Sequence, residues 1–216
     1  MRISSTSVAI TSSSKIPAPA RWSAPTRLQT GQLAAANHGY YSAQEFDFTP
    51  FEPIRCETVE LGRACVHKDH RKLAVLNLLW RGIAIYATER KARYLIGCSS
   101  LTSQDAAVGI AMYQALAAGH LVEERFRTEA IGAYRIAGAF PSTEPPAVPK
   151  LLRAYLSIGA RICGSPALDQ DFKTIDFLTL LDLHALPAAV RSTSSPRCHP
   201  ERSVNGVEGP PSHHQR

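Results

Sequence analysis

The chain has 216 residues, of which 44% are hydrophobic and 19% charged, a balance typical of one folded domain rather than a disordered chain. Its formal net charge is +6, but the excess lies at the two ends. Residues 1–30 carry four basic residues and no acid, residues 187–216 carry four against two, and residues 31–186 are neutral overall. The charge therefore gives no reason to expect nucleic-acid binding by the folded part.

Cysteine usage and hydropathy limit further the classes of protein to which the chain could belong. The five cysteines are odd in number, scattered and never spaced as CxxC, so neither a disulfide framework nor a zinc site is indicated. A reducing, intracellular compartment is favoured. No stretch approaches the roughly 18 unbroken apolar residues that a membrane-spanning helix needs.

Composition divides the chain into three regions. Residues 1–30 are rich in Ser, Thr, Ala and Pro without apolar periodicity, which predicts a disordered leader, although the acid-free composition also resembles a transit peptide. Residues 187–216 are rich in Ser, Pro, Arg and His and predict a disordered tail. Residues 31–186 are the expected folded domain, beginning with an irregular segment, 31–56, that aromatic side chains pin in place.

The first elements of that domain alternate between strand and helix. Residues 57–67 read as a strand covered on both faces, and residues 71–90 as a helix with an apolar stripe at i, i+3, i+4 and i+7. A short strand follows at 93–98. The pattern Thr102-x-x-Asp105 resembles a capping box and predicts the start of the next helix.

The remaining elements are shorter. Residues 122–131 predict a partly exposed strand, 149–157 a helix, and 160–163 and 177–182 two further strands. Strands that alternate with helices along the chain predict an α/β fold.

Common site signatures such as GxGxxG, GxxxxGK[ST], GxSxG and HExxH are absent. His67 and His70 lie three residues apart at a strand–helix junction, but without an obvious third ligand an exposed turn is the preferred interpretation, so no metal is expected. Cys98 follows a strand and offers a nucleophile, yet a cysteine in this position is more often a small buried apolar residue.

The junction between the first strand and the first long helix has features that favour phosphate binding. A helix start presents unpaired N–H groups and a positive dipole end, both suited to a phosphate. Arg71 and Lys72 lie there, and an arginine adds a charge-assisted partner for phosphate.

Three separated motifs in the same order resemble one family. These are ELGRACVHKDHRKLAVLNLLWRGIA from Glu60, YLIGCSS from Tyr94 and DQDFKTIDFLTLLDL from Asp169. They resemble the branch of the GNAT superfamily that contains ornithine-acyl-carrier N-acyltransferases and hemolysin-like acyltransferases, with acyl-homoserine-lactone synthases more distant. The resemblance implies a GNAT-like mixed sheet flanked by helices. It also implies that the N-terminal strands are missing or replaced, because only the Ser/Pro-rich leader precedes Thr26.

The resemblance also implies roles for individual residues. An acyl thioester on a phosphopantetheine arm would lie between two splayed parallel strands, and Glu60 would orient the amine or take its proton. Arg63 would pair with a carboxylate of the substrate or the protein. The phosphate of the arm would lie against His70, Arg71, Lys72, Leu73 and Ala74. The residues expected to face the substrates are Cys98, Ser99, Asp171 and Asp176, although the two aspartates are equally well read as turn residues.

The implied activity is transfer of a (3-hydroxy)fatty acyl group from acyl carrier protein, or from acyl-CoA, to an amino acid such as ornithine in lipid biosynthesis. No permanently bound cofactor is implied, the expected location is the cytoplasm, and peripheral contact with the inner membrane is left open. The alternative is an inactive, truncated fragment of the family, because the usual N-terminal part of the domain is not recognisable.

Overall fold

The computed structural model describes residues 6–9, 25–62, 73–138 and 144–186. Its centre is a seven-stranded mixed sheet with the strand order β1-β2-β3-β4-β7-β5, and β6 also pairs with β7. The strands are β1 (Thr6–Ala9), β2 (Pro25–Thr30), β3 (Thr58–Gly62), β4 (Tyr94–Leu101), β5 (Arg161–Ile162), β6 (Ala167–Asp169) and β7 (Thr174–Asp182). Of the described strand pairs, only β3 with β4 is parallel. The predicted α/β mixed sheet is therefore confirmed.

Four α-helices accompany the sheet in the described ranges: α1 (Gly31–Ala36), α2 (Leu73–Glu89), α3 (Ala106–His120) and α4 (Lys150–Ser157). Short 3-10 helices lie at Ser42–Gln44, Thr49–Glu57, Glu124–Phe126, Gly132–Tyr134 and Leu183–Ala185. No helix in the described part of the chain is both long and apolar enough to cross a membrane.

The two faces of the sheet pack against different parts of the chain. Side chains alternate along a strand, so neighbours on β4 point to opposite faces. Ile96 packs with the aromatic side chains of the segment 40–51, whereas Leu95 packs with the buried stripe of α2. At the far end of the sheet, Phe177 on β7 lies in a third cluster with residues of α3 and α4. We call the face of the sheet that packs against the segment 40–51 the aromatic face, and the face that packs against α2 the helical face.

Two sequence expectations about the N-terminal region need correction. Residues 25–30 were expected in a disordered leader, but they form β2, pair with β3 and bury Leu28 completely. Thr6–Ala9 forms β1 on the outer side of β2. The expectation fails because a strand with one apolar residue gives no periodic signal, while the unpaired edge of β3 supplies its hydrogen bonds. The tail at 187–216 lies outside the described residues.

Residues 122–131 do not form the predicted strand. Val122, Phe126 and Ala130 are buried as a strand would bury them. The backbone bonds of this segment, however, run singly to different partners, such as Val122 N to Ile162 O and Thr128 N to Cys163 O. Without a continuous partner the segment forms isolated bridges and a 3-10 turn. A smaller correction is that Asp105, not Thr102, caps α3, accepting a bond from Ala107 N.

Candidate functional site

The two parallel strands separate in the middle of the sheet. β3 and β4 pair at Thr58–Tyr94, Val59–Leu95 and Glu60–Ile96, and the pairing then stops although both strands continue. Gly97 follows the last paired position. A Cβ atom built there would lie 2.3 Å from the carbonyl oxygen of Leu61, so only glycine fits this close approach. The strands thus touch at Gly97 and diverge beyond it.

A cavity of about 330 Å³ occupies the divergence on the helical face. Leu61 and Gly62 of β3 line one side, and residues 97–100 of β4 line the other. Trp80 of α2 and Tyr155 of α4 also line it, and their rings meet edge to face with centroids 5.2 Å apart. Its size and mostly apolar lining are typical of small ligand pockets.

One hydroxyl group of the cavity wall is unpaired within the described structure. Ser99 is 3% exposed, and its Oγ has no hydrogen-bond partner there. The neighbouring Thr179 hydroxyl instead donates to Gly97 O at 2.8 Å. The predicted substrate-facing Ser99 is therefore placed in the wall of a cavity, where an oxygen or N–H of a ligand would satisfy it.

Glu60 is buried on the aromatic face. Tyr41 N donates to its Oε2 at 2.9 Å and Ser42 N donates to its Oε1 at 2.8 Å. These two bonds tie the segment after α1 to the centre of the sheet, at the last paired position before the strands diverge. Glu60 thus lies beside the divergence, and its catalytic role stays a prediction.

Three more carboxyl groups lie together on the same face. Glu45, Asp169 and Asp176 are each at most 5% exposed, and one oxygen from each lies within 4.8 Å of the others. Burial, followed by the charges of Asp176 and Asp169, raises the pKa of Glu45 to about 8. Burial also raises the pKa of Asp176, and a hydrogen bond from Ser100 opposes that rise. We call these three residues the acid cluster.

The acid cluster and the cavity adjoin at Cys98. Cys98 lines the cavity, and its thiol donates to Ser42 Oγ at 3.4 Å. Burial, and then the charges of Glu45 and Asp176, raises the pKa of this thiol well above its usual value. A thiol held protonated is a poor nucleophile, so the geometry favours Cys98 as a wall residue.

The other predicted site residues fall in three groups. Arg63, His70, Arg71 and Lys72 lie outside the described residues, as does His67. Leu73 and Ala74 begin α2. Asp171 is exposed in the β6–β7 turn, where its N–H donates to Asp169 Oδ1 at 2.8 Å.

Sequence reasoning missed Glu45 and Asp169. Asp169 carries a local signal, because its side chain accepts bonds from the N–H groups of residues 171 and 172, as in an Asx-turn. Glu45 lies in a segment without periodicity, and no local pattern marks it. Oxygen-only clusters also suit hard cations, and the expectation of no metal stays a prediction.

Comparisons with known proteins agree with this architecture. Residues 18–81 match the family described as the acetyltransferase (GNAT) domain. This part of the chain therefore resembles a GNAT domain, and the mixed α/β sheet flanked by helices agrees with the GNAT fold. The match begins inside the region that composition alone assigned to a leader.

The particular relatives are named L-ornithine N(alpha)-acyltransferase. The protein of that name from Rhodobacter capsulatus is 32% identical over 168 residues, covering 74% of this chain and 64% of the relative. The one from Agrobacterium fabrum is 29% identical over 178 residues, covering 74% and 58%. The chain thus spans less than two thirds of the length of either relative.

Among solved structures, TofI in a ternary complex with an inhibitor and MTA aligns at 14% identity over 80% of this chain and 64% of that chain. The TM-score is 0.41.

Proposed function

We propose that this chain is an N-acyltransferase that moves a fatty acyl group from a pantetheine thioester to the amine of ornithine. The observation that carries the proposal is the cavity at the divergence of β3 and β4, with buried carboxyl groups directly across the sheet. The relatives' shared name supports ornithine as the acceptor. Acyl carrier protein as the donor, a 3-hydroxyacyl chain, lipid biosynthesis, a cytoplasmic location and peripheral membrane contact are parts of the same proposal.

The cavity fits the donor better than the acceptor. Its lining is mostly apolar and includes five leucines, one tryptophan and one tyrosine but no charged side chain, which suits an alkyl chain and not a charged amino acid. The unpaired backbone edges of β3 and β4 beyond Glu60 offer hydrogen bonds to the amide groups of a pantetheine arm. A thioester placed between these edges would lie beside Cys98. The phosphate of the arm is proposed to lie against residues 70–74.

The aromatic face fits the acceptor. Ornithine carries two ammonium groups, and buried carboxylates attract a cation because little water screens them. Asp176 is proposed to hold one of these groups, as expected from sequence, and the exposed Asp171 is proposed to attract the amino acid from solvent. Arg63 is proposed to pair with the acceptor's carboxylate.

The test is a transfer assay with purified chain, ornithine, and the same 3-hydroxyacyl group supplied on acyl carrier protein or on coenzyme A. Mass spectrometry should detect acyl-ornithine in an amount equal to that of the thiol released from the donor. Asp176→Asn should raise KM for ornithine, whereas Glu89→Gln, an exposed carboxyl on α2, should leave the kinetics unchanged. Well-folded chain that forms no acyl-ornithine with either donor would contradict the proposal and favour the inactive fragment.

A further inference from the structure

The two carboxyl oxygens of Glu60 hold the backbone of Tyr41 and Ser42 in place. Each accepts one N–H bond, from Tyr41 at 2.9 Å and from Ser42 at 2.8 Å. These residues begin the 3-10 turn Ser42–Gln44, and Glu45 follows at its end, where Glu45 N donates to Ser42 O at 3.1 Å. Glu60 therefore fixes the turn that presents Glu45 to Asp169 and Asp176.

Glu45 is in turn left with an unsatisfied oxygen. Its Oε2 and the Oδ1 atom of Asp176 are both buried without a hydrogen-bond donor among the described residues. Two ionised carboxylates are acceptors only and cannot bond to each other. A proton on Glu45 that is donated to Asp176 satisfies both, and the pair is then able to hold or release one proton.

The titratable groups that face Glu45 disfavour a negative charge on its carboxyl group. They are Asp176 on β7, Asp169 on β6, Glu60 on β3, Cys98 on β4 and Tyr134 in the turn Gly132–Tyr134. None of them is cationic. Together with burial they explain a pKa of about 8 for Glu45, and a base that titrates near the working pH is effective in proton transfer.

The position of Glu45 relative to the cavity supplies an independent reason. Ser100 lines the cavity and pairs with Asp176 across β4 and β7, and a Glu45 oxygen lies within 4.8 Å of an Asp176 oxygen, so the carboxyl group lies across β4 from the proposed thioester. An amine that approaches the divergence from the aromatic face would pass beside Glu45 before it reaches the cavity.

We propose that Glu45 is the proton acceptor in this transfer and that Glu60 is a positioning residue that holds it; this inference rests on the function proposed above. The reacting ammonium group first loses one proton to solvent; the neutral amine nitrogen then attacks the thioester carbonyl carbon, and its N–H proton passes to the Glu45 carboxylate. The C–N bond forms as the C–S bond breaks, and the sulfur leaves with the electron pair of that bond. The proton then passes from Glu45 to the thiolate, which leaves as a thiol, and the carboxylate is restored.

The test compares the pH dependence of kcat in three proteins, with saturating donor and ornithine. In the wild type, kcat should rise with pH up to about 8 as Glu45 ionises. Glu45→Gln should lower kcat by roughly 10²–10⁴-fold and remove this rise. Glu60→Gln should lower kcat but keep the rise, because it displaces the base without replacing it.

A second measurement keeps the test independent of folding in the variants. Infrared spectroscopy of the wild type should show a protonated carboxylic acid that titrates near pH 8, and its absence would overturn the inference. A Glu45→Gln protein that keeps kcat within a few-fold, or keeps the pH rise because the rise belongs to the amine, would overturn it while leaving the proposed function intact. A wild type that transfers nothing would overturn the proposed function, and this inference with it.

Discussion

Gly97→Ala tests the contact from which β3 and β4 diverge. The added methyl group would lie 2.3 Å from the backbone oxygen of Leu61, and a backbone atom has no rotamer by which to withdraw. Overpacking of this kind costs roughly 1–3 kcal/mol. For a domain of this size that corresponds to a fall in Tm of roughly 2–12 °C. The strands would be pushed apart at the mouth of the cavity, so affinity for an acyl-pantetheine donor should fall as well.

Gly62→Ala is the matched control on the facing strand. Gly62 also lines the cavity, but a Cβ atom there would meet no atom of the described residues within 4 Å. Its free energy of unfolding should stay within about 0.5 kcal/mol of the wild type. Thermal denaturation of both variants by circular dichroism makes the comparison. Equal melting temperatures for Gly97→Ala and Gly62→Ala would refute the register of β3 against β4 described here.

Three further predictions concern stability. Because the pKa of Glu45 is raised to about 8, its proton favours the folded state, and the free energy of unfolding should fall as pH rises from about 4.3 towards 8. Glu45→Gln should flatten this dependence of Tm on pH in thermal melts. An unchanged dependence would show that another group is responsible. Although burial opposes it, the Arg93 guanidinium, 2.8 Å from Asp182, holds the pKa of that carboxyl below its usual value. The stabilisation is present above pH ~4 and lost below it, so melts of Asp182→Asn should lack this acid-side loss. Leu152→Ala, at a fully buried side chain, should cost roughly 2–5 kcal/mol in urea denaturation, whereas the neighbouring Leu151→Ala, 39% exposed, should cost much less; similar costs would contradict the orientation of α4.

The elements with strong apolar periodicity were predictable from sequence. The stripe Leu79, Ile83 and Ala87 is buried against the sheet in α2, and the described helix, Leu73–Glu89, falls within the predicted range 71–90. The apolar runs of β4 and β7 were also read correctly. A residue pattern suffices in these cases because burial on one side of a regular element repeats at a fixed spacing.

The site was only partly predictable, because its parts depend on contacts between distant segments. Glu60 was singled out by a family resemblance, but its bonds to Tyr41 and Ser42 join residues about 19 positions apart. Glu45 becomes a candidate base only because β6 and β7 bring Asp169 and Asp176 against it. The glycine at 97 has an ordinary sequence context, and only the approach of Leu61 shows why it is required.

The central claim is that an acyl-pantetheine arm lies between β3 and β4 where their pairing ends. The most direct measurement is a crystal structure of the chain with a non-hydrolysable acyl-pantetheine thioether. We predict that the arm lies between the backbones of β3 and β4 beyond the contact of Leu61 with Gly97, with its alkyl chain against Trp80 and Tyr155. An arm bound elsewhere, with this cavity left empty, would contradict the account.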